Sequence, residues 1–222
     1  MNSKITIFST KKLSSKKVTE LVLIDSHDFI KIKPIKPKET ISFLNIIFTS
    51  KNAVKNTFEN YDLLNKGYLF FCVGEKTAQS ITNKGVSVSL IEINAEELAN
   101  KLIQTNNKNG YTFFCGENHL DTLPSLFELN KIPLQKIVVY KTITNSVKLN
   151  KEYAGYVFFS PSGLTSFLTK NTIPVNAQIF SIGNTTAKAI KKRVNNQVII
   201  ATESKIESVI NTIKEFYTYV KK

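Results

Sequence analysis

Short apolar runs with strand character alternate with helix-like segments along the chain, and this alternation constrains the fold more than any other feature. The runs are rich in β-branched and aromatic residues and have the length of single strands. Strands that alternate with helices form parallel sheets with helices on both faces. The sequence therefore predicts an α/β fold. Strands are predicted at 4–9, 29–35, 45–50, 67–74, 86–91, 111–116, 136–143, 155–160, 177–183 and 197–202.

The segments that separate most of these strands have apolar residues at helical spacing, which predicts amphipathic helices. Helices are predicted at 53–64, 75–85, 95–107, 120–131, 163–171, 184–193 and 206–222.

The order of elements repeats once within the chain. One predicted strand ends at Ser50 and the next at Gly74, and the same arrangement recurs with Ser160 and Gly183. The two serines are about 110 residues apart, which is the size of a domain rather than of a solenoid repeat. We therefore expect two similar parallel-sheet α/β domains.

Two polar stretches lie where the chain would pass between these domains. KPIKPKE at 33–39 carries two prolines and is expected to be extended and exposed. KTITNSVKLNK at 141–151 has no helical periodicity. A chain that crosses twice between two domains predicts that one domain is inserted into the other.

These crossings define the predicted domains. They are a discontinuous domain of residues 1–34 and 151–222, an inserted domain of residues 40–140, and linker strands at 35–39 and 141–150. The first 34 residues are expected to form a strand–helix–strand unit. The linker strands are expected to pair as a two-stranded β linker, with a cleft between the domains.

Small polar residues end five of the predicted strands, namely Ser50, Gly74, Gly116, Ser160 and Gly183. Ligands bind beyond the carboxyl ends of the strands in open parallel sheets. Each residue is predicted to precede a helix, whose first N–H groups have no partner within the helix and form an anion site. The alternative is that these residues only cap helices, as in every α/β protein.

The turn FFSPSG shows what such a strand end can offer to a ligand. Ser160 and Ser162 supply hydroxyl groups next to free backbone N–H groups, and Pro161 fixes the turn. A cleft lined by five such turns favours binding of a carboxylate or phosphate over capping alone.

The charge balance points to an anionic partner. The formal net charge is +13, which favours polyanions. Arg193 is the only arginine, the lysines are scattered, and no lysine-rich run interleaves with exposed aromatic residues. Nucleic acid is therefore a less favoured partner than a small polyanion.

Other sites and locations receive no support from the sequence. No run reaches the roughly 18 apolar residues of a membrane span, and the N-terminus lacks the pattern of a secretory signal. Cys72 and Cys115 lie in aromatic strand patterns and are expected to be buried thiols in a reducing cytoplasm. His27 and His119 are far apart, so we expect no metal site. Neither a G-x-G-x-x-G nor a phosphate-loop motif occurs.

Tyr140, at the end of KIVVY, has two interpretations. It is either a core aromatic residue or an acid that faces the cleft, and the residue pattern alone favours the core.

The ordered set of motifs resembles the uroporphyrinogen-III synthase family over nearly the whole chain. The resemblance rests on IIFTSKNAV, FCVGEKTAQSI, FFCGENHLDTLPSLFELNKIPLQKIVVYKT, VFFSPSGLTSFL and FSIGNTTAKAI. The motifs are short, and it is their order that is specific. The resemblance implies cyclisation of the linear tetrapyrrole hydroxymethylbilane, with loss of water and inversion of ring D. It implies no metal and no organic cofactor.

Site positions follow from the resemblance residue by residue. The implied substrate-binding positions are Ser50, Thr77, Ser160, and Thr185 or Thr186, and the implied catalytic residue is Tyr140. The stretch ENHLD departs from the family pattern, because its one residue with basic character is His119.

From the sequence itself we also expect a cytoplasmic protein that acts on neither membrane nor nucleic acid, and a monomer, since the sequence gives no sign of an oligomer interface. Hand-over of substrate from hydroxymethylbilane synthase would be transient. The competing hypothesis is a two-domain protein that binds a small polyanion without chemistry.

Overall fold

The computed structural model describes residues 4–64, 66–105 and 109–219. The strands are β1 (Ile5–Ser9), β2 (Val22–Ser26), β3 (Ile30–Pro34), β4 (Asn45–Phe48), β5 (Leu69–Val73), β6 (Leu90–Glu92), β7 (Tyr111–Gly116), β8 (Leu134–Thr144), β9 (Gly155–Phe158), β10 (Gln178–Ser181) and β11 (Val198–Ile200). The helices are α1 (Lys51–Phe58), α2 (Glu75–Thr82), α3 (Ala95–Gln104), α4 (Thr122–Leu129), α5 (Pro161–Leu168), α6 (Asn184–Lys191) and α7 (Ile206–Tyr219).

The chain divides into two compact units. The inserted unit is Ile32–Thr142, and the discontinuous unit combines Met1–Lys31 with Ile143–Lys222. The sheet of the inserted unit has the order β3-β8-β7-β4-β5-β6. The sheet of the discontinuous unit has the order β11-β10-β9-β1-β2, and all its paired strands are parallel. The predicted α/β class with two parallel sheets is confirmed.

The two units repeat one arrangement with the chain cut at different places. In the inserted unit β4–α1–β5–α2–β6 comes first and β7 and β8 follow; β7 lies beside β4. In the discontinuous unit β9–α5–β10–α6–β11 comes last, and β1 and β2 come from the start of the chain; β1 lies beside β9. The repeat predicted from the sequence is therefore a circular permutation.

Each sheet is covered on both faces, which explains the unbroken apolar runs of its central strands. In β4, Phe48 belongs to one buried cluster with Phe114, and Ile47 belongs to another with Phe113. All four are at most 1% exposed. Burial of one such side chain contributes roughly 1.5–3 kcal/mol to stability. The central strands are therefore firmly packed, and they fix the position of the turns that follow their carboxyl ends.

The start of the chain differs from the prediction. No helix is present between β1 and β2, and β2 was not predicted. Thr19 accepts hydrogen bonds through its hydroxyl from the N–H groups of Leu21 and Val22, and the Ser15 hydroxyl donates to the carbonyl of Lys17. Such local side-chain bonds compete with helix formation, which is why the segment is irregular.

The predicted linker strands also differ from the structure. Strand β3 ends at Pro34, before the predicted 35–39, and β8 ends at Thr144 within the predicted 141–150. The strands β3 and β8 are neighbours in the six-stranded sheet, and the Ile35 N–H donates to the Val139 carbonyl over 2.9 Å. Pro37 has no N–H to offer to a sheet, which accounts for the early end.

None of the helices in the described ranges is long and apolar enough to cross a membrane.

Candidate active site at the strand ends

Ser50 begins the site of the inserted unit, between β4 and α1. Its extended backbone and its side chain cap the helix, and its Oγ accepts a hydrogen bond from the Asn52 N–H over 3.1 Å. The same Oγ accepts from the phenol of Tyr140 over 3.3 Å. A serine hydroxyl has two acceptor positions and one proton. Both acceptor positions are occupied, so the Ser50 proton is free to donate.

Tyr140 lies at the rim of the core, partly buried against the cluster that contains Phe48 and Phe114. Its ring lies over Gly116, and its carbonyl accepts from the Glu117 N–H over 2.9 Å. The structure therefore brings together three predicted site residues, Ser50, Gly116 and Tyr140. The side chain packs against the core with its ring, and its phenol reaches the helix cap.

Gly74 and Thr77 form the next turn of this edge, between β5 and α2. Gly74 has a φ of 80°, a region that L side chains rarely adopt, so the turn requires glycine. Its N–H donates to the Glu92 carbonyl over 2.8 Å, so this N–H is not available to a ligand. Thr77 is 6% exposed. The Thr77 N–H donates to the Gly74 carbonyl over 3.0 Å, so the N–H groups of this turn that have no partner within the helix are those of Glu75 and Lys76.

Gly116 precedes a helix, as predicted, but the helix does not follow it directly. Helix α4 starts at Thr122, and its cap residue Asp121 makes no side-chain cap bond. Five residues separate the glycine from the helix, because the chain after β7 first pairs with Tyr140 and then turns.

Ser160 opens the corresponding edge in the discontinuous unit. Its Oγ accepts from the Gly163 N–H over 3.0 Å, and Pro161 occupies the first turn of α5. Pro161 and Ser162 are exposed, as a ligand-binding turn requires. Gly163 packs close, since a Cβ built on it would lie 3.2 Å from the Ser160 Oγ.

Gly183, before α6, has φ and ψ of 177°, an extended conformation open to any residue. A Cβ at this position would lie 3.0 Å from the Ser204 Oγ, a tight contact that a small shift of the serine side chain would relieve. Thr185 is exposed, whereas Thr186 is 4% exposed. Of the two alternatives, Thr185 is the one whose side chain is open to a ligand.

Sequence reasoning missed Ser9 and Thr10 at the end of β1. Thr10 pairs with β9 through its N–H and its Oγ1, both of which donate to the Val157 carbonyl over 3.0 Å. Its Oγ1 lies 3.5 Å from a Cβ built on Gly163, which places it against the turn of Ser160. The letters IFST resemble IFTS before α1, and this signal was available.

Exposed lysines follow several strand ends. Lys11, Lys12, Lys51 and Lys76 are exposed, and within the described ranges none of them forms an ion pair. An unpaired ammonium group is available to a carboxylate of a ligand.

Metal and thiol chemistry have little basis at these edges. Among the described residues no group of histidine, cysteine, aspartate and glutamate side chains is arranged to hold a metal ion. His119 stacks on Phe113, with ring centroids 5.7 Å apart. Burial raises the pKa of the Cys72 thiol to about 11 and that of Cys115 to about 12. Both thiols are therefore neutral at ordinary pH.

A family model and solved structures place the chain among known proteins. A family model described as HEM4, uroporphyrinogen-III synthase HemD, matches residues 29–211. The solved uroporphyrinogen-III synthetase from Helicobacter pylori is similar over 96% of this chain and 99% of that chain, with 18% identity and a TM-score of 0.75. A mutant uroporphyrinogen III synthase from the extremely thermophilic bacterium Thermus thermophilus is similar over 98% and 99%, with 10% identity and a TM-score of 0.67. No curated protein matches the chain. At these identities the structures support the fold, and the family model supports the family.

Proposed function

Since the chain belongs to the uroporphyrinogen-III synthase family, we propose that Tyr140 and the strand ends of both units bind and cyclise hydroxymethylbilane. The activity is that of a uroporphyrinogen-III synthase, a cyclising lyase of tetrapyrrole biosynthesis. The competing hypothesis of a binding protein without chemistry is not favoured by this membership.

The contact between Tyr140 and Ser50 carries the assignment of a catalytic role. The reaction breaks the carbon–oxygen bond of the substrate's hydroxymethyl group, and the departing hydroxyl needs a proton to leave as water. A phenol placed at the open edge of the sheet is able to donate that proton. As the phenol turns its proton to the leaving group, Ser50 is able to donate its own free proton to the phenolic oxygen and to stabilise the developing charge.

Ring closure then requires positioning more than further acid or base chemistry. The carbon left electron-poor by loss of water is attacked by the substituted α-carbon of ring D, which gives a spiro intermediate. The bond between that carbon and its original bridge to ring C then breaks, and the free α-carbon of the inverted ring D bonds to the bridge. Loss of the proton from this α-carbon, which restores the proton that Tyr140 donated, completes the macrocycle. Holding the two pyrrole ends in contact converts an encounter into an internal step. We assign this positioning to the turns at Ser160, Gly183 and Gly74.

The substrate carboxylates match the donors at the strand ends. Helix N-termini present unpaired N–H groups and the positive end of the helix dipole. The exposed lysines Lys11, Lys12, Lys51 and Lys76 add charge without the bidentate geometry that arginine would give. We propose that Pro161, Ser162 and Thr185, which are exposed, line the binding surface.

The domain assignment and the cleft are part of the proposal. We propose a discontinuous domain of residues 1–34 and 151–222 and an inserted domain of residues 40–140, which close on the substrate. The free cysteines support a cytoplasmic location. The sequence has no lysine-rich run that interleaves with aromatic residues, which supports a protein that binds no nucleic acid. We further propose a monomer that receives its substrate directly from hydroxymethylbilane synthase.

An isomer assay tests the proposal. Purified protein is mixed with hydroxymethylbilane, and the oxidised products are separated by chromatography. We expect the type III isomer in large excess over the type I isomer that forms without enzyme. If the isomer ratio equals that of the protein-free control, the proposed activity is refuted.

A further inference from the structure

Gly116 is a glycine for which backbone conformation gives no reason. It is absent from the glycines with positive φ in the described residues, so its backbone is open to any residue. The reason lies in the space above its Cα. A Cβ built there would lie 2.6 Å from Cζ, 2.7 Å from Cε2 and 2.9 Å from the phenolic oxygen of Tyr140. Real Cβ atoms essentially never come this close, so any side chain at Gly116 moves the phenol.

The pairing of β7 with β8 changes at the same point. Cys115 pairs with Val138, but Gly116 pairs with Tyr140, so one extra residue of β8 is accommodated. This is a β-bulge, which re-aims the side chains that follow it.

The bulge has a visible consequence for Tyr140. Successive side chains of a regular strand point to opposite faces, yet Val139 and Tyr140 both pack against the same buried cluster. That cluster contains Ala53 and Val54 of α1, the helix that Ser50 caps. A regular strand would turn the tyrosine to the other face, away from Ser50.

We propose that Gly116 is a positioning residue for the Tyr140 phenol. Because Gly116 has no side chain, it leaves room for the tyrosine ring in the place to which the bulge has turned it, toward Ser50. Gly116 is thus assigned an effect through Tyr140 rather than contact with the substrate. This inference rests on the proposed function of Tyr140 in cyclisation.

A double-mutant cycle tests the coupling. The four proteins are wild type, Gly116→Ala, Tyr140→Ala and the double variant. We expect Gly116→Ala to lower kcat about tenfold or more with little change of KM, because the ring is displaced while the binding turns remain. In the Tyr140→Ala background, Gly116→Ala should change kcat by less than about twofold. Equal effects in both backgrounds would overturn the proposal.

A matched control separates positioning from crowding. A Cβ at Gly155, at the start of β9, would also clash, at 2.9 Å from the Tyr217 hydroxyl and 3.0 Å from the Gln178 carbonyl. We expect Gly155→Ala to lower thermal stability but to leave kcat unchanged. If Gly116→Ala does not fold, Tyr140→Ala must restore folding in the double variant; failure of both to fold would overturn the inference.

A readout without turnover keeps the inference apart from the proposed activity. The protein is labelled with 3-fluorotyrosine, and Tyr140→Phe assigns one ¹⁹F resonance. Gly116→Ala should shift that resonance and leave the other tyrosine resonances in place, whereas Gly155→Ala should leave it unchanged. An unshifted Tyr140 resonance would refute the inference even in an active enzyme. A shifted resonance in an inactive enzyme would support the placement and refute only the activity.

Discussion

The carboxyl edges of the two sheets carry the same serine caps but differ in what lies beside them. In the inserted unit a bulge turns Tyr140 onto Ser50. In the discontinuous unit β1 and β2 pair without a shift, from Ile5 with Val22 to Ser9 with Ser26. Strand β2 ends at Ser26, whose Oγ accepts a hydrogen bond from the Leu13 N–H over 3.2 Å.

This difference indicates that the two sheet edges, although they repeat one arrangement, have different roles. Both edges present caps and unpaired N–H groups, which suit an anion. Within the described parts of the chain only the inserted edge adds a phenol in contact with the cap, so we assign the acid to that edge and binding to both.

The largest effect is expected from removal of the Tyr140 hydroxyl, the group by which the two edges differ. Tyr140→Phe removes the proton donor but keeps the ring, so we expect kcat to fall about a hundredfold with KM nearly unchanged. Initial rates of type III isomer formation measure it. Tyr153→Phe, which removes a phenol of the discontinuous unit that donates to Asp25 over 3.0 Å, is the control and should keep kcat. If kcat of Tyr140→Phe fell by less than about twofold, Tyr140 would not be the acid.

The next effect compares the two caps directly. Ser50→Ala and Ser160→Ala should each lower the free energy of unfolding by about 1 kcal/mol, because each removes one helix cap. Their kinetic effects should differ. Ser50→Ala should lower kcat about tenfold, since Tyr140 loses its partner. Ser160→Ala should mainly raise KM. Steady-state kinetics and urea unfolding of both variants provide the test, and identical kinetic profiles would contradict the division of tasks.

A smaller effect concerns acid stability of the discontinuous unit. Burial by itself would raise the pKa of Asp25, but hydrogen bonds from Lys151 and Tyr153 outweigh it and hold the pKa below its usual range. A carboxylate with a lowered pKa in the folded state stabilises the fold above its unfolded pKa, and this contribution is lost as the pH falls through the folded value. The loss should therefore begin below about pH 4.

Thermal midpoints of wild type and Asp25→Asn, recorded from about pH 5 to about pH 3, measure this contribution. The wild-type midpoint should fall more steeply than that of the variant. Parallel curves would show that Asp25 has no part in acid stability. Because the carboxylate is partly exposed, added salt should reduce the difference.

The sequence predicts the repeated elements well because their signals are local. Helix α2 begins at Glu75 as predicted, and α6 begins at Asn184 as predicted. Their caps and apolar spacing lie within one short window. The predicted α1 extended to residue 64, but the helix ends at Phe58, where the Asn60 and Tyr61 N–H groups return to the Thr57 carbonyl.

The candidate site is only partly predictable, because its main contact depends on strand pairing. Ser50 and Ser160 follow from local cap chemistry. The role of Gly116 depends on a bulge between strands that are about 20 residues apart in sequence, and no local pattern encodes it. Thr10 is a different case. The stretch IFST that it ends is similar to IFTS before α1, so its position at a strand end was predictable from the sequence.

The smallest effect uses the cysteines, both of which lie in the inserted unit. Burial raises their pKa values to about 11 and about 12, well above those of exposed thiols. Native protein at about pH 8 should therefore react with a thiol reagent only when the inserted unit opens. Because unfolded thiols ionise near pH 8.5, the free energy of unfolding of this unit should fall as the pH rises above that value. Mass spectrometry of iodoacetamide-treated protein measures the labelling rate, and unfolded protein is the control.

Ser50→Ala should accelerate labelling and Ser160→Ala should not, because only Ser50 caps a helix of the inserted unit. If the two units open together, both variants should accelerate labelling equally.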